Sequence, residues 1–314
     1  MSPLGAISLL DAYRLWISLS VLMILAACWL VSGRPTQRAD LAFALPWLAG
    51  VLLFRPVIVT LRNGQLGGLL LLVLILGCSL AADDKDRAAG IVLGLLSLKP
   101  ALGLPLLGLI VLWMLSRRRW RLVGGTIGSM TALFLLGWLY DPQWVSRLAG
   151  SGSPKLFSFV GHFPTAWGLG TALCAGRGTC AWWVGAGLSG AALLAFGAAV
   201  YVKRSSLETW GAASLAVPVA LFASPYVGAY DLLLLLLPIG VSLRCLRVRG
   251  TPYLIVASLP IWIDLASLIL VLVAARVGLD LWSATLDLLT LTLVWWALEL
   301  PPFDQTATPR MPAS

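Results

Sequence analysis

The sequence is short of charge and almost without histidine. Of its 314 residues only 11% are charged, acidic side chains number 13 against 22 basic ones, and His162 is the single histidine. A soluble domain covers itself with polar groups, and a chain that is 60% hydrophobic with a mean hydropathy of +0.93 has too few of them. A metal centre requires His, Cys, Asp or Glu at ligand spacing, and none occurs, so no metal is expected. Walker A and dinucleotide-binding fingerprints are missing too, which leaves ATP and NAD without a visible site and no cofactor evident.

Apolar runs are abundant instead. They fall at 12–32, 41–54, 66–82, 88–98, 101–116, 122–140, 182–202, 207–223, 231–244, 252–274 and 281–298, and predict an all-α, polytopic helical membrane protein of about 10–11 segments. Residues 1–300 read as one transmembrane domain with a long outer loop at 141–181. Residues 301–314, rich in Pro and Thr, read as a disordered cytoplasmic tail. The net charge of +9 is gathered in short loops, at Arg34 and Arg38, Lys85 and Arg87, Arg117 to Arg121, Lys203 and Arg204, and Arg244 to Arg249. The positive-inside rule accounts for that pattern, so the expected surroundings are membrane lipid rather than nucleic acid. Many of the 15 tryptophans lie near run ends, as an interfacial belt requires. No cleavable signal is evident, because the first run is long and lacks a basic region before it.

Lys99 interrupts the run from Ala88 to Ser116 and is followed at once by Pro100. A charge near the bilayer centre costs roughly 2.5–3.5 kcal/mol on insertion scales, so such a lysine needs a partner or a wet cavity. Proline removes a backbone donor and turns the preceding residue away from helix. A straight helix over the whole run would measure roughly 43 Å at ~1.5 Å per residue, against a hydrocarbon core of about 30 Å. Charge parity agrees. One continuous span would strand Arg34, Arg38, Lys85 and Arg87 outside, whereas a hairpin with its tip at Lys99-Pro100 leaves only Arg55 and Arg62 there. A short hairpin at 88–116 is therefore expected, its tip facing outward in a protein-lined or water-filled depression.

The same parity places Arg55 to Gln65 (RPVIVTLRNGQ), the 141–181 loop and Ser224 to Asp231 (SPYVGAYD) on the outer side. Each group has a plain reading. Arg55 and Arg62 snorkel to headgroups or bind a ligand; Asn63-Gly64 is a turn; Gln65 starts a helix. Tyr226 and Tyr230 serve a belt, and Asp231 caps a helix or pairs with a lysine. Cys174 and Cys180 either pair in an oxidising compartment or stay as thiols. Taken together, they offer cations, amides and hydroxyls beside a lipid-facing depression. Arginine presents a planar fork to phosphate oxygens and lysine a point charge, so Arg55, Arg62, Asn63, Gln65, Lys99, Tyr226, Tyr230 and Asp231 are the candidate lipid-phosphate site.

Asn63-Gly64-Gln65 opening an apolar run, Ala89-Gly90 with Leu93-Gly94-Leu95, Lys99-Pro100, Arg117-Arg118-Arg119-Trp120, and Ser224-Pro225-Tyr226 with Tyr230-Asp231 resemble, in order and spacing, glycosyltransferase family 87. The resemblance covers roughly residues 10 to 245. It implies a GT-C type fold and an inverting enzyme that moves a hexose, often mannose, from a polyprenyl-phosphate carrier to a glycan or lipid acceptor. Such an enzyme sits in the cell (inner) membrane with its site facing the periplasm or exterior. It also implies a further N-terminal span and a first outer loop bearing the catalytic carboxylate. Asp11 to Trp16 resembles the start of the family's second span, which places the missing part before Met1. The catalytic base is then unassigned, with Asp11, Asp141 and, as the nearest to the motif cluster, Asp231 as outer-side candidates. A transporter or flippase for a lipid-linked sugar, or a catalytically silent homologue, are the alternative readings.

Overall fold

The computed structural model describes residues 8–31, 38–146, 165–174 and 176–247, with isolated helical positions at 262, 265, 290 and 292. The expected spans at 252–274 and 281–298, the tail 301–314, His162 and the middle of the 141–181 loop lie outside these. The described residues are helical throughout, without a strand. The helices are α1 Leu9–Val31, α2 Arg38–Leu53, α3 Arg55–Arg62, α4 Gly67–Ala82, α5 Asp86–Gly94, α6 Pro100–Ser116, α7 Trp120–Tyr140, α8 Ala166–Leu173, α9 Gly178–Val202, α10 Thr209–Ala223 and α11 Leu236–Arg247. By length and composition α1, α7 and α9 suffice to cross a membrane, and α4, α6 and α10 are shorter apolar helices.

The run 88–116 is two elements. After α5 the chain tightens into a 3₁₀ turn at Leu95–Leu98, Lys99 leaves helical geometry at φ −121 and ψ 81, and Pro100 opens α6. The fold-back is tight: a Cβ on Gly103 would lie 1.9 Å from the Leu96 carbonyl oxygen. The direction follows from the glycine contacts of α5. Gly90 meets Leu122, Gly125 and Thr126 of α7, and Gly94 meets Thr126 and Ser129, so α5 and α7 run parallel with α6 returning between their ends. Small residues at i and i+4 let the two backbones approach closely.

The bundle consequently has two polar ends of different character. At one end Arg119 bonds to the Ala81 carbonyl at 2.6 Å, to Asp84 at 3.3 Å and to Asp86, while Arg117 bonds to the carbonyls of Arg204 and Ser205. Three loops, α4–α5, α6–α7 and α9–α10, are thereby clasped together, and Arg244 of α11 reaches the same end over Trp210. At the opposite end lie the start of α1, α3 with the turn that follows it, the Lys99 tip, and the segment Ser224 to Asp231.

Between the ends is one apolar core. Trp47, Phe54, Leu70, Leu71, Leu74, Leu93, Leu102 and Leu106 are fully buried, as are Leu232 to Leu237. Outward faces stay apolar too, with Phe134, Leu136, Trp138 and Leu139 of α7 and Trp183 and Leu194 of α9 exposed, as a lipid solvent allows. The outer loop needs correction: 141–181 is not a loop throughout. Thr165 caps α8, accepting from the Gly168 N–H at 3.3 Å, and α9 begins at Gly178 rather than 182. The local cap and the short apolar stretch AWGLGTAL suffice for a two-turn helix.

Gly90→Val places a Cβ 2.2 Å from the Leu122 carbonyl oxygen, whereas a Cβ at Gly124 meets nothing within 4 Å. Thermal unfolding in detergent is expected to show Gly90→Val losing at least about 1–3 kcal/mol and Gly124→Ala indistinguishable from the unaltered chain.

Candidate functional site

Two of the places where helix is broken, Leu95 to Lys99 and Ser224 to Tyr230, meet each other. Lys99 Nζ pairs with Asp231 Oδ1, and Ser224 Oγ donates to the Ala101 carbonyl at 2.7 Å. Asp231 is buried at 1% exposure at the head of the 3₁₀ turn Asp231–Leu235, and its Oδ2 accepts the Gly228 N–H at 3.0 Å. Both carboxylate oxygens are engaged, so the residue works as a counter-charge and closes the preceding turn; it does not cap the helical turn that follows. Lys99 also lies over the Tyr230 ring, 4.3 Å from its centroid, and Tyr226 is close enough to Tyr230 to interact with it. The lysine keeps 15% of its side chain exposed. The expected open depression is therefore only partly present: a carboxylate and a ring lie against the ammonium, and only a small part of the side chain is exposed.

Next to this pair stands the turn after α3. The Thr60 hydroxyl has two carbonyls within reach of its single proton, Pro56 at 2.7 Å and Tyr230 at 2.9 Å, and the second ties α3 to the broken segment. Gly64, at φ +60, takes the left-handed conformation that the turn needs. Arg62 and Asn63 are exposed and Gln65 is half-buried. The Arg62 guanidinium makes no hydrogen bond or ion pair among the described residues, its backbone carbonyl alone being engaged. Arg55 is exposed at the first residue of α3 and lies roughly 10 Å from Arg62 along the helix, at ~1.5 Å per residue. Lys99, Tyr226, Tyr230 and Asp231 thus form one cluster, with Arg62, Asn63 and Gln65 on an adjoining turn and Arg55 farther along.

Sequence reasoning missed the side chains that hold this end together. Tyr13 Oη donates to the Arg62 carbonyl and Trp16 Nε1 to the Gly64 carbonyl, both at 3.0 Å. Trp167 Nε1 and Ser189 Oγ both donate to the Ala223 carbonyl, at 2.9 and 3.2 Å. The signal available beforehand was weak: an aromatic at a run end reads equally well as an interfacial anchor. Cys174 and Cys180 are joined in a disulfide that closes the turn between α8 and α9, with Cα atoms 5.8 Å apart. Cys28 and Cys78 are buried thiols, and the described residues contain no cluster able to hold a metal ion. Of the other outer acids, Asp11 is exposed and bonded to Ser8 at 2.6 Å and Arg14 at 3.5 Å, and Asp141 accepts the Gln143 N–H at 3.1 Å.

A family model described as glycosyltransferase family 87 matches residues 1–225. The match takes in α1 through α10 and stops at Pro225, just short of Tyr226, Tyr230 and Asp231. No curated protein and no solved structure matches the chain.

Removing one partner of a buried ion pair strands the other. Lys99→Ala is expected to cost about 3–5 kcal/mol in thermal unfolding in detergent, and Asp231→Asn, which keeps an acceptor beside Gly228, less. A loss from Lys99→Ala no larger than that from Arg62→Ala would contradict the pairing.

Proposed function

Since the chain belongs to glycosyltransferase family 87, we propose that it transfers a hexose from a polyprenyl-phosphate carrier at the end of the bundle that bears Lys99 and Arg62. The observation that carries this reading is the Arg62 guanidinium, without a partner among the described residues, on a turn that Thr60 ties to the Tyr230–Asp231 segment holding Lys99. Two cations there, with the amides of Asn63 and Gln65, suit a phosphate whose lipid tail lies along the apolar helix faces.

In this scheme the acceptor hydroxyl attacks the anomeric carbon from the face opposite the carrier. The new C–O bond forms as the bond to the phosphate oxygen breaks, with inversion, and the bonding pair leaves on the carrier phosphate. Fixed donors aimed at that oxygen lower the barrier because charge grows there during the step. Lys99, already oriented by Asp231 and the Tyr230 ring, supplies one such charge without needing to reorganise. The acceptor proton requires a carboxylate within hydrogen-bond reach. Asp231 is poorly placed for that, with both oxygens engaged. The base is left unassigned.

Two features support an outward-facing site. The end with Arg117, Arg119 and Lys203 carries the basic loops, which the positive-inside rule assigns to the cytoplasm. The disulfide caps the N-terminal end of α9, opposite Lys203, and disulfides persist in oxidising compartments. The donor is then taken on the periplasmic or exterior face of the cell membrane, where a glycan or lipid acceptor meets it. Mannose is the hexose that the resemblance favours.

Arg62→Ala leaves the ion pair intact and tests the site without disturbing the core. It is expected to weaken binding of a short polyprenyl-phosphate hexose by roughly tenfold or more, since a charge-assisted hydrogen bond is worth about 1.5–3 kcal/mol. Unchanged affinity would refute the donor site. Intact donor binding with no transfer to any acceptor would favour the silent homologue.

A further inference from the structure

The turn that carries Arg62 is held by five backbone groups with identified partners. Asn63, Gly64 and Gln65 N–H donate back to Val59, Leu61 and Thr60 at 3.0, 3.2 and 3.1 Å. The two outward carbonyls, of Arg62 and Gly64, accept from Tyr13 and Trp16, 49 and 48 residues earlier in the chain. Gly64 sits against both rings, its Cβ position 3.8 Å from each. A third tie, Thr60 Oγ1 to the Tyr230 carbonyl, fixes the other side of α3 to the segment bearing Asp231. The backbone is held on two sides, while the side chains of Arg62 and Asn63 remain exposed. Tyr13 and Trp16 lie three residues apart on α1, on one face of one turn, so a single helix presents both donors together.

We propose that Tyr13 and Trp16 are positioning residues for the donor phosphate: they hold the Arg62–Gly64 turn so that the Arg62 guanidinium is presented from a fixed backbone. This rests on the reading of Arg62 as a phosphate ligand. Holding the backbone in advance matters because a flexible arginine otherwise gives up part of its binding energy to ordering. The pair also gives the first turn of α1 a task beyond anchoring at the interface.

Tyr13→Phe deletes its donor and keeps the ring, and Trp16→Phe deletes the indole N–H and keeps a smaller aromatic ring; thermal unfolding checks that both variants fold. Two readouts separate positioning from general support. The first is the rate at which an impermeant thiol reagent modifies Gln65→Cys, in a chain also carrying Cys245→Ser, since Cys28 and Cys78 are buried and Cys174 and Cys180 are bonded. That rate is expected to rise about three- to tenfold when both donors are lost, the range of one or two neutral hydrogen bonds. The second is affinity for farnesyl phosphate in detergent. It is expected to fall about three- to tenfold in Tyr13→Phe, with no further fall when Tyr13→Phe is added to Arg62→Ala. An unchanged labelling rate overturns the proposal, and so does an equal loss of affinity with and without Arg62. Faster labelling alongside an Arg62→Ala variant that binds farnesyl phosphate normally refutes Arg62 as the ligand, yet supports the hold of Tyr13 and Trp16 on the turn.

Discussion

A lysine and an aspartate 132 positions apart, paired where two helices break, set the shape of this end of the molecule. Neither charge is tolerable alone in an apolar bundle, since an unpaired buried ion costs several kcal/mol. Each break exists where its charge is. Pro100 ends the hairpin at Lys99, and the SPYVGAY segment delivers Asp231 at the head of a 3₁₀ turn buried among leucines. Irregular backbone at membrane depth persists only when protein surrounds it, and the pair, with Ser224 on the Ala101 carbonyl, supplies that enclosure.

The other end explains why the hairpin stays in register. Arg119 gathers the α4–α5 loop through Ala81, Asp84 and Asp86, and α5 then lies along α7 at glycine-to-backbone distance. With the bases of α5 and α7 fixed side by side, the 13 residues of Asp86–Gly94 and Leu95–Leu98 determine how far the tip reaches. Lys99 arrives level with Asp231, at the head of the 3₁₀ turn that precedes α11. A clasp of charges at one face therefore positions a charge pair at the other.

Much of this was legible because membrane segments are long, and charge in them is rare. The hairpin followed from one proline, one lysine and the parity of basic loops. The sequence also offered a lysine partner as one role for Asp231, and a disulfide as one fate of Cys174 and Cys180. Contacts made by neutral polar groups were not legible. Tyr13, Trp16, Thr60, Trp167 and Ser224 each donate to a backbone carbonyl, and any residue type can supply a carbonyl, so no partner is marked in the sequence. Helix α8 was hidden for a related reason: eight residues are too few for periodicity to distinguish from loop, and a Thr165 cap decides the matter locally.

Holding the fold and, as proposed above, binding a lipid phosphate are separable roles of this pair. Replacing both charges with apolar side chains, Lys99→Met with Asp231→Leu, separates them. Thermal stability is expected close to that of the unaltered chain, because a matched apolar pair replaces buried ions at little cost. Affinity for farnesyl phosphate is expected lower by about tenfold or more. A doubly substituted chain that is stable and binds farnesyl phosphate as tightly as before would rule out Lys99 as a phosphate ligand.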